Sequence, residues 1–259
     1  NHGILGGGTK PQIPTAGLVA YYPFNGNAND ESGNNRHGTP QNSASTADRN
    51  NEAGKAWNFV NNVNSRIQVP SNSAFTFGNA MTISLWAKFN QGWNYHGESL
   101  IWKGLQSNWK YEIGVDQNSG AYGPGKYQIG FNVKTVSGNV SAKKIVDYSD
   151  ISEWFHLTGV FLAGTAYLYV NGNLVGTDNT GGATVADADD SFIMGGSINP
   201  ISGAYNRNID EVRVYNRALS DSEVSALYFG GGAPVRYVKP GATGANDGSS
   251  WVDAFTDLQ

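Results

Sequence analysis

The sequence predicts an all-β protein, on three observations. Glycine, tyrosine and tryptophan are abundant, with 34, 13 and 7 copies among 259 residues, whereas only 15% of the residues are charged. Short runs in which apolar and polar residues alternate recur along the chain, and turn-forming residues separate them. A chain of this length can bury a large core, so it suits one sizeable β domain or two smaller ones.

The predicted strands are short and are separated by turn-forming sequence. Asn171-Gly172 is the dipeptide that a tight hairpin turn favours, and it joins two of these strands. His156 lies in a strand with Trp154, Thr158 and Val160 on the same face, which indicates a packed or hydrogen-bonded histidine rather than a catalytic one. The predicted strands are 18–24, 57–59, 66–69, 82–89, 99–103, 111–115, 126–133, 154–162, 166–170, 174–175, 191–196 and 209–215.

The stretch 208–228 combines a strand, an acid and a helix start. Strict alternation would put Asp210 on the same face as Val212 and Val214. A buried carboxylate needs a strong partner, either a set of hydrogen-bond donors or a metal ion. Ser220 followed by Glu223 is a capping box, so a short helix is expected after the last strand, ending before the glycines at 230–232.

The segment 25–39, after the first strand, consists almost wholly of turn-forming residues. Its amide, carboxylate and carbonyl oxygens are the ligands that a hard cation such as Ca²⁺ requires, and its glycines allow positive φ. The spacing of an EF-hand loop is absent. A solvated loop rich in Asn and Asp is the alternative interpretation of this segment.

Several aromatic residues lie in polar loop sequence and are candidates for stacking on the apolar face of a sugar ring. The alternative is that they cover the edge of the sandwich. A solvated turn is the interpretation favoured for the acidic cluster Asp187, Asp189 and Asp190, over a second cation site. The candidate ligand-binding aromatics are Trp93, Tyr95, Trp109, Tyr122 and Tyr205.

Composition and motifs argue against several classes of function. The net charge is −4 and the sequence pI is about 5.5, without a basic run, so a nucleic-acid partner is not expected. The chain has no cysteine, and no apolar run approaches the roughly 18 residues of a membrane span. No E-x-D-x-x-E, G-x-S-x-G or H-E-x-x-H pattern occurs, so no catalytic residues are assigned and the chain is predicted not to be an enzyme.

The character of the sequence changes after the glycines at 230–232. Residues 236–259 contain one short strand, a turn-rich middle and four apolar residues at helical spacing, from Trp251 to Leu258. This segment is expected to be the truncated start of a second domain. The predicted organisation is a flexible flank at 1–15, a β domain at 16–229, a linker at 230–235 and the second domain from 236 to 259.

Residues 16–229 resemble the bacterial laminin-G-like domains of the concanavalin A-like lectin/glucanase superfamily. The segments that carry the resemblance are GLVAYYPFNGNANDESGNNRHGT, TISLWAKF, WFHLTGVF with LYVNGNLVG, and NIDEVRVYNRALSDSEV. The resemblance implies a two-sheet antiparallel jelly-roll β-sandwich. It also implies a structural calcium ion held by Asp30 and Asp210, with backbone or amide oxygens of Asn35, Gly38 and Thr39 completing the oxygen shell.

The tail, YVKPGATGANDGSSWVDAFTDLQ, resembles the opening of right-handed β-helix domains of the pectate-lyase-like type. Together the two resemblances imply a calcium-stabilised, non-catalytic carbohydrate-binding or adhesion module of a secreted or surface multidomain protein. Its expected partners are a polysaccharide or glycan and the neighbouring β-helix domain of the same polypeptide. A structural spacer or protein-interaction domain is the alternative. A hydrolase or lyase is disfavoured, since Tyr127-Gln128-Ile129 is followed by Gly130 where jelly-roll lyases carry a histidine.

Overall fold

The computed structural model describes residues 12–60, 64–90, 98–105, 108–116, 119–179, 184–186, 190–196 and 206–230. The predicted second domain at 236–259 therefore lies outside the described residues. The strands are β1 (Leu18–Tyr22), β2 (Thr39–Gln41), β3 (Ser43–Thr46), β4 (Ala56–Phe59), β5 (Arg66–Val69), β6 (Ala80–Phe89), β7 (Glu98–Leu105), β8 (Asn108–Asp116), β9 (Lys126–Thr135), β10 (Gly138–Asp147), β11 (Phe155–Leu162), β12 (Thr165–Val170), β13 (Asn173–Asn179), β14 (Phe192–Gly195) and β15 (Arg207–Tyr215). The helices are α1 (Ser119–Tyr122), α2 (Tyr148–Ile151) and α3 (Asp221–Tyr228), with one turn of 3-10 helix at Ser73–Phe75.

The strands form two antiparallel sheets, which confirms the predicted jelly-roll sandwich with a short helix after the last strand. The first sheet has the order β13-β12-β11-β6-β15-β4-β3, and β1 also pairs with β15. The second sheet has the order β10-β9-β8-β7-β14-β5-β2. At the predicted hairpin turn, Asn171 and Gly172 both have positive φ, at 50° and 78°.

Three strands of the structure have no counterpart among the predicted ones. β2 and β3 are short and polar, reading TPQ and SAST, and β10 reads GNVSAKKIVD with most of its residues exposed or half-buried. All three lie at the edges of their sheets, where a strand need not bury one face. Alternation of apolar residues is weak in such strands, so the pattern does not reveal them.

The main core lies between the sheets, where apolar residues from alternate positions of facing strands pack together. From the first sheet come Ile83 and Leu85, and from the second come Ile113 and Phe131. Gly159 of β11 faces the Phe131 ring so closely that a Cβ at this position would lie 2.4 Å from two ring carbons. The absence of a side chain at Gly159 therefore allows the two sheets to approach at this point.

A second apolar cluster covers the outer face of the first sheet beneath α3. It comprises Val160, Tyr169, Tyr215, Leu219, Val224 and Leu227. The predicted capping box is present, since Ser220 accepts from the Glu223 N–H and the Glu223 carboxylate accepts from the Ser220 N–H. In the part of the chain that the structure describes, no helix is long and apolar enough to cross a membrane.

The predicted faces of β15 are wrong because Glu211 forms a β-bulge. The pairing of β15 with β6 shifts between Asp210 and Arg213, and Glu211 has a φ of 53°. A bulge adds one residue to a strand, so the side chains on its two sides no longer follow one alternation. Ile209, Val212 and Val214 consequently point into the core, whereas Asp210 lies opposite Trp86 on the outer face of the sheet.

His156 is packed and hydrogen-bonded, as the sequence predicts. Its Nε2 lies 2.8 Å from the Ser84 hydroxyl, and its ring stacks at an angle against Trp86, with centroids 5.2 Å apart. Burial, aided by the positive charges of Arg213 and Arg49, lowers the pKa of His156 to about 3. The imidazole is therefore neutral in the folded protein across the physiological range.

The two sheets also meet along one side, at the edge strands β10 and β13. The Ser141 N–H of β10 donates to the Asp178 carboxylate of β13 at 2.7 Å. A Cβ at Gly176 would lie 2.6 Å from the Lys143 carbonyl oxygen, so this edge approach requires glycine. The sandwich is thus closed on this side by backbone contact between the two sheets.

We expect the substitution Gly159→Ala to destabilise the protein by roughly 1–3 kcal/mol, since the added methyl must displace the Phe131 ring in a packed core. Urea unfolding followed by tryptophan fluorescence measures the effect. Gly78→Ala is the control, because a Cβ at Gly78 would meet no heavy atom within 4 Å. Equal stability of the two variants would contradict the close approach of the sheets.

The buried neutral His156 predicts a specific loss of stability in acid. The unfolded chain takes up a proton near the ordinary histidine pKa of 6.5, whereas the folded protein resists protonation down to about pH 3. The free energy of unfolding should therefore fall as the pH is lowered below 6.5, by about 2–3 kcal/mol at pH 4.5 from this residue alone. His156→Gln should lack this component. Urea unfolding of both proteins at pH 7 and pH 4.5 tests it, and parallel pH dependences would contradict it.

Candidate functional site

An open cavity of about 300 Å³ lies on the outer face of the second sheet. Odd-numbered residues of β8 and β9, such as Ile113 and Phe131, point into the core, so the even-numbered residues face outward. The cavity, called the sheet groove below, is lined by Glu112, Gly114, Val115, Asp116, Gln128, Gly130, Asn132 and Lys143.

Strand register arranges the sheet groove in three cross-strand rows. Glu112 lies opposite Asn132, and Asp116 lies opposite Gln128. Between these two rows, Gly114 lies opposite Gly130, which in turn lies opposite Lys143 of β10. The middle of the groove is therefore a floor of bare backbone, with a carboxylate and an amide on each side of it.

Neighbouring side chains hold Glu112 in place at one end of the groove. The Ser99 hydroxyl donates to Glu112 Oε1 at 2.5 Å. The Ser141 hydroxyl of β10 donates to the amide oxygen of Asn132, the cross-strand partner of Glu112. Burial and repulsion from Asp116 raise the pKa of Glu112, against the lowering effect of the hydrogen bonds from Ser99 and Asn132. Protonation of Glu112 is thus easier than that of an exposed glutamate.

Tyr122 contacts two of the lining residues at the other end of the groove. Its hydroxyl donates to Asp116 Oδ2 at 3.2 Å and accepts from the Gln128 amide. Burial, together with the charge of Asp116, raises the pKa of Tyr122, so the hydroxyl keeps its proton. Tyr122, expected from the sequence in a polar loop, lies in a single helical turn, α1, in the structure.

The other candidate ligand-binding aromatics are placed differently. Trp93, Tyr95 and Tyr205 lie outside the described residues, as do Asp187 and Asp189 of the acidic cluster. Trp109 is half-buried at the opposite end of β8 from Asp116, with Gly104 of β7 as its cross-strand partner. Of the described candidates, only Tyr122 meets the sheet groove. The groove residues themselves carried a signal in the sequence: polar residues and glycine occupy every second position of 112–116 and of 128–132.

A second cavity, of about 360 Å³, lies on the second sheet near β2 and β5. It is lined by Thr39, Gln41, Gln68, Pro70, Ser71 and Ser191. The Gln68 amide donates to the Ser191 hydroxyl at 3.0 Å. None of its lining residues is charged, in contrast to the sheet groove.

Asp30 has a complete set of backbone partners. Its Oδ1 accepts from the N–H groups of Tyr21 and Ser32, and its Oδ2 accepts from that of Arg36, all at 2.9 Å. Burial opposes ionisation of Asp30, but the hydrogen bonds from Ser32, Tyr21 and Arg36 outweigh it and lower its pKa. The carboxylate therefore organises the loop between β1 and β2 through hydrogen bonds.

Asp210 is held by a different loop. Its Oδ2 lies 3.1 Å from the Arg49 guanidinium, and its Oδ1 accepts from the Glu211 N–H at 2.7 Å. Arg49 also lies over the Trp86 ring, 4.6 Å from its centroid. Burial and repulsion from Glu211 raise the pKa of Asp210 to about 7, although the Arg49 charge acts in the opposite direction.

These contacts do not fit one calcium ion between Asp30 and Asp210. Asp30 bonds to N–H groups of its own loop, whereas Asp210 pairs with a cation from the β3–β4 connection. Thr39 pairs with Gln68 in the second sheet, and Gly38 packs against Ile67. Asn35 is exposed, with a φ of 57°. Within the described ranges, no group of three or more His, Cys, Asp or Glu side chains is placed to hold a metal ion.

Solved structures with the same fold are numerous. The binding domain of Paraclostridial Mosquitocidal Protein 1 matches with a TM-score of 0.66 and 19% identity, over 86% of this chain and 56% of that one. The botulinum neurotoxin serotype D binding domain matches with a TM-score of 0.64 and 16% identity, over 87% and 53%. The serotype D ligand binding domain in complex with N-acetylneuraminic acid matches with a TM-score of 0.62 and 17% identity, over 83% and 51%. At these identities the likeness shows the fold alone.

The chain spans about half the length of these solved structures. No curated protein matches the sequence significantly. The family model Laminin_G_3, described as concanavalin A-like lectin/glucanases superfamily, matches residues 61–225. That match covers most of the chain and agrees with the two-sheet sandwich described above, so the chain belongs to the Laminin_G_3 family of the concanavalin A-like lectin/glucanase superfamily.

Proposed function

We propose that the chain is a non-catalytic carbohydrate-binding module and that the sheet groove is its binding site. The observation that carries this proposal is the bare floor at Gly114 and Gly130 between two pairs of carboxylate and amide side chains. Small-ligand sites are concave and carry a few placed polar groups that fix the orientation of the ligand.

The chemistry of the groove suits sugar hydroxyl groups. Each hydroxyl both donates and accepts a hydrogen bond, and so do the amides of Gln128 and Asn132, while the carboxylates of Glu112 and Asp116 accept. Because glycine has no side chain, a flat ring can approach the backbone at the floor of the groove. The Tyr122 hydroxyl, which contacts Asp116 and Gln128, is a further hydrogen-bonding group at one end of the groove.

The arrangement of carboxylates argues for binding rather than glycoside cleavage. Glycosidases place two carboxyl groups about 5–10 Å apart on either side of the scissile bond. Glu112 and Asp116 lie four residues apart on one face of one strand with the glycine floor between them, so they stand in a row along the groove rather than facing each other across it. Each carboxylate is also engaged by a neighbouring hydroxyl, from Ser99 and Tyr122 respectively.

The fold neighbours support a binding role and an extracellular setting. They are binding domains of toxins, one in complex with N-acetylneuraminic acid and another in complex with SialylT. By analogy we propose that this module is secreted or surface-exposed and serves in adhesion to a polysaccharide or glycan. The resemblance of residues 236–259 to a β-helix start supports a multidomain protein, with the β-helix as its neighbour.

A side chain introduced at the glycine floor tests whether the sheet groove is the binding site. A Cβ at Gly130 would lie 3.5 Å from the Asn132 side chain, an ordinary contact, so Gly130→Val should fold normally. We expect this substitution to weaken glycan binding by about tenfold or more, since the valine occupies the space of a sugar ring. Glycan arrays and affinity electrophoresis in polysaccharide gels measure binding. Gly78→Val is the control, because Gly78 lies in a turn with no heavy atom near its Cβ position.

Three results would exclude the site, relocate it or refute the proposed function. Full binding by Gly130→Val would exclude the sheet groove. If Trp93→Ala abolished binding while Gly130→Val retained it, the loop aromatics would be the site, as the sequence alone predicts. Absence of any glycan ligand would refute the carbohydrate-binding function.

Calcium stabilisation stays a prediction from the family resemblance and needs its own measurement. A calcium ion between Asp30 and Asp210 would have to replace three N–H donors and the Arg49 guanidinium. From those contacts we expect EDTA to leave the unfolding temperature unchanged. We expect Asp30→Asn to lower the free energy of unfolding by about 1–3 kcal/mol in either EDTA or calcium, since an amide leaves backbone donors unpaired.

Glu31→Gln serves as the control for Asp30→Asn, because Glu31 is exposed and adjacent in sequence. Differential scanning calorimetry with EDTA or millimolar calcium provides the readout. An unfolding temperature that falls in EDTA and is restored by calcium, with the response lost in Asp210→Asn, would instead establish the calcium site.

A further inference from the structure

We infer that the sheet groove selects uncharged glycans and rejects acidic ones. This inference rests on the proposed function of the groove and specifies its ligand class. Among the residues that line the groove, the charged ones are Glu112, Asp116 and Lys143. Two carboxylates against one ammonium leave the lining with an excess of negative charge.

A ligand bound on the glycine floor would lie between the two carboxylates. Glu112 stands on one side of Gly114 and Asp116 on the other, each two residues away along the same strand face. A row-to-row spacing of about 7 Å follows from the strand geometry. A sugar carboxylate bound near the floor would therefore have a like charge on either side, at a distance where repulsion is only partly screened.

Hydrogen bonds keep both carboxylates in these positions. The Ser99 hydroxyl holds Glu112, and the Tyr122 hydroxyl holds Asp116. The carboxylates therefore cannot turn away from an incoming anion without losing these bonds.

Lys143 does not offset the carboxylates. It is exposed on the edge strand β10, opposite Gly130. A solvated ammonium on a flexible stem contributes little to the binding of an anion. The partially enclosed part of the groove thus presents acceptors and amides, which suit hydroxyl groups, while the compensating charge stays at its rim.

This chain should differ in ligand from the fold neighbour that was solved with N-acetylneuraminic acid, which is an acidic sugar. At 17% identity the two proteins share a fold, and nothing requires them to share a ligand. The specificity of this chain should follow the charges of its own groove.

The experiment compares matched ligands on a glycan array and by isothermal titration calorimetry. The pairs are carboxyl-reduced sialyllactose with sialyllactose, and carboxyl-reduced oligogalacturonate with oligogalacturonate, each differing in the carboxylate that the acidic member carries. Chitosan oligosaccharide is the cationic probe, and neutral β-glucan and mannan oligosaccharides broaden the uncharged set. We expect the bound glycans to be uncharged, and any acidic partner of a bound glycan to bind at least about tenfold more weakly.

The double variant Glu112→Gln and Asp116→Asn isolates the cause of the discrimination. Both substitutions preserve shape and remove charge, so the variant should bind acidic glycans about as well as their neutral partners. Raising the salt concentration of the wild type from 20 mM to 500 mM should also reduce the discrimination, without any change in the protein. Circular dichroism checks that the variant folds. If the variant does not fold, the salt series on the wild type tests by itself whether charge causes the discrimination.

The outcomes separate this inference from the proposed function. Tight binding of acidic glycans that Gly130→Val abolishes would support the groove as a glycan site and overturn its selectivity. Preference for chitosan oligosaccharide over every neutral glycan would also overturn it, in favour of a cationic ligand. Binding of no glycan in any class would overturn both proposals.

Discussion

The first sheet depends on the bulge in β15, because this strand pairs with three others. Residues 207–209 pair with β4, residues 212–215 pair with β1, and β6 runs along the opposite side. The bulge at Glu211 falls where the pairing changes from β4 to β1, and the Asp210 carboxylate accepts the Glu211 N–H there. The same carboxylate binds Arg49, so one buried acid completes the hydrogen bonds of an irregular strand and fixes the β3–β4 connection over it.

Alternation of apolar and polar residues located the strands that place side chains in the core. It failed for the edge strands and at the β-bulge, where strand pairing determines the structure. The period of two located β5, β6 and β11 because each places apolar residues in the core at alternate positions. It missed β2, β3 and β10, whose positions follow from pairing at sheet edges. It also assigned Asp210 to the wrong face, because strict alternation assumes a strand without a bulge. The need for a partner to Asp210 was correct in kind, but the identity of Arg49, 161 residues away, depends on tertiary structure.

The candidate site, too, could be predicted only in part from the sequence. Loop aromatics draw attention in a sequence because they stand out from polar surroundings, whereas the sheet groove consists of ordinary polar residues and glycines on two neighbouring strands. Only the register that sets Gly114 against Gly130 turns them into a site. Tyr122 is a candidate on both grounds, since its turn position is visible in the sequence and its contact with Asp116 is visible in the fold. Register between distant segments is what a single sequence does not specify.

The contact between β10 and β13 covers one edge of the second sheet. β10 forms one wall of the sheet groove through Lys143, and its outer edge faces β13, where Asp178 accepts the Ser141 N–H and Gly176 fits against the backbone. An edge strand covered in this way does not offer that hydrogen-bonding group to a second chain. The groove can therefore stand open to solvent beside an edge that resists intermolecular sheet formation.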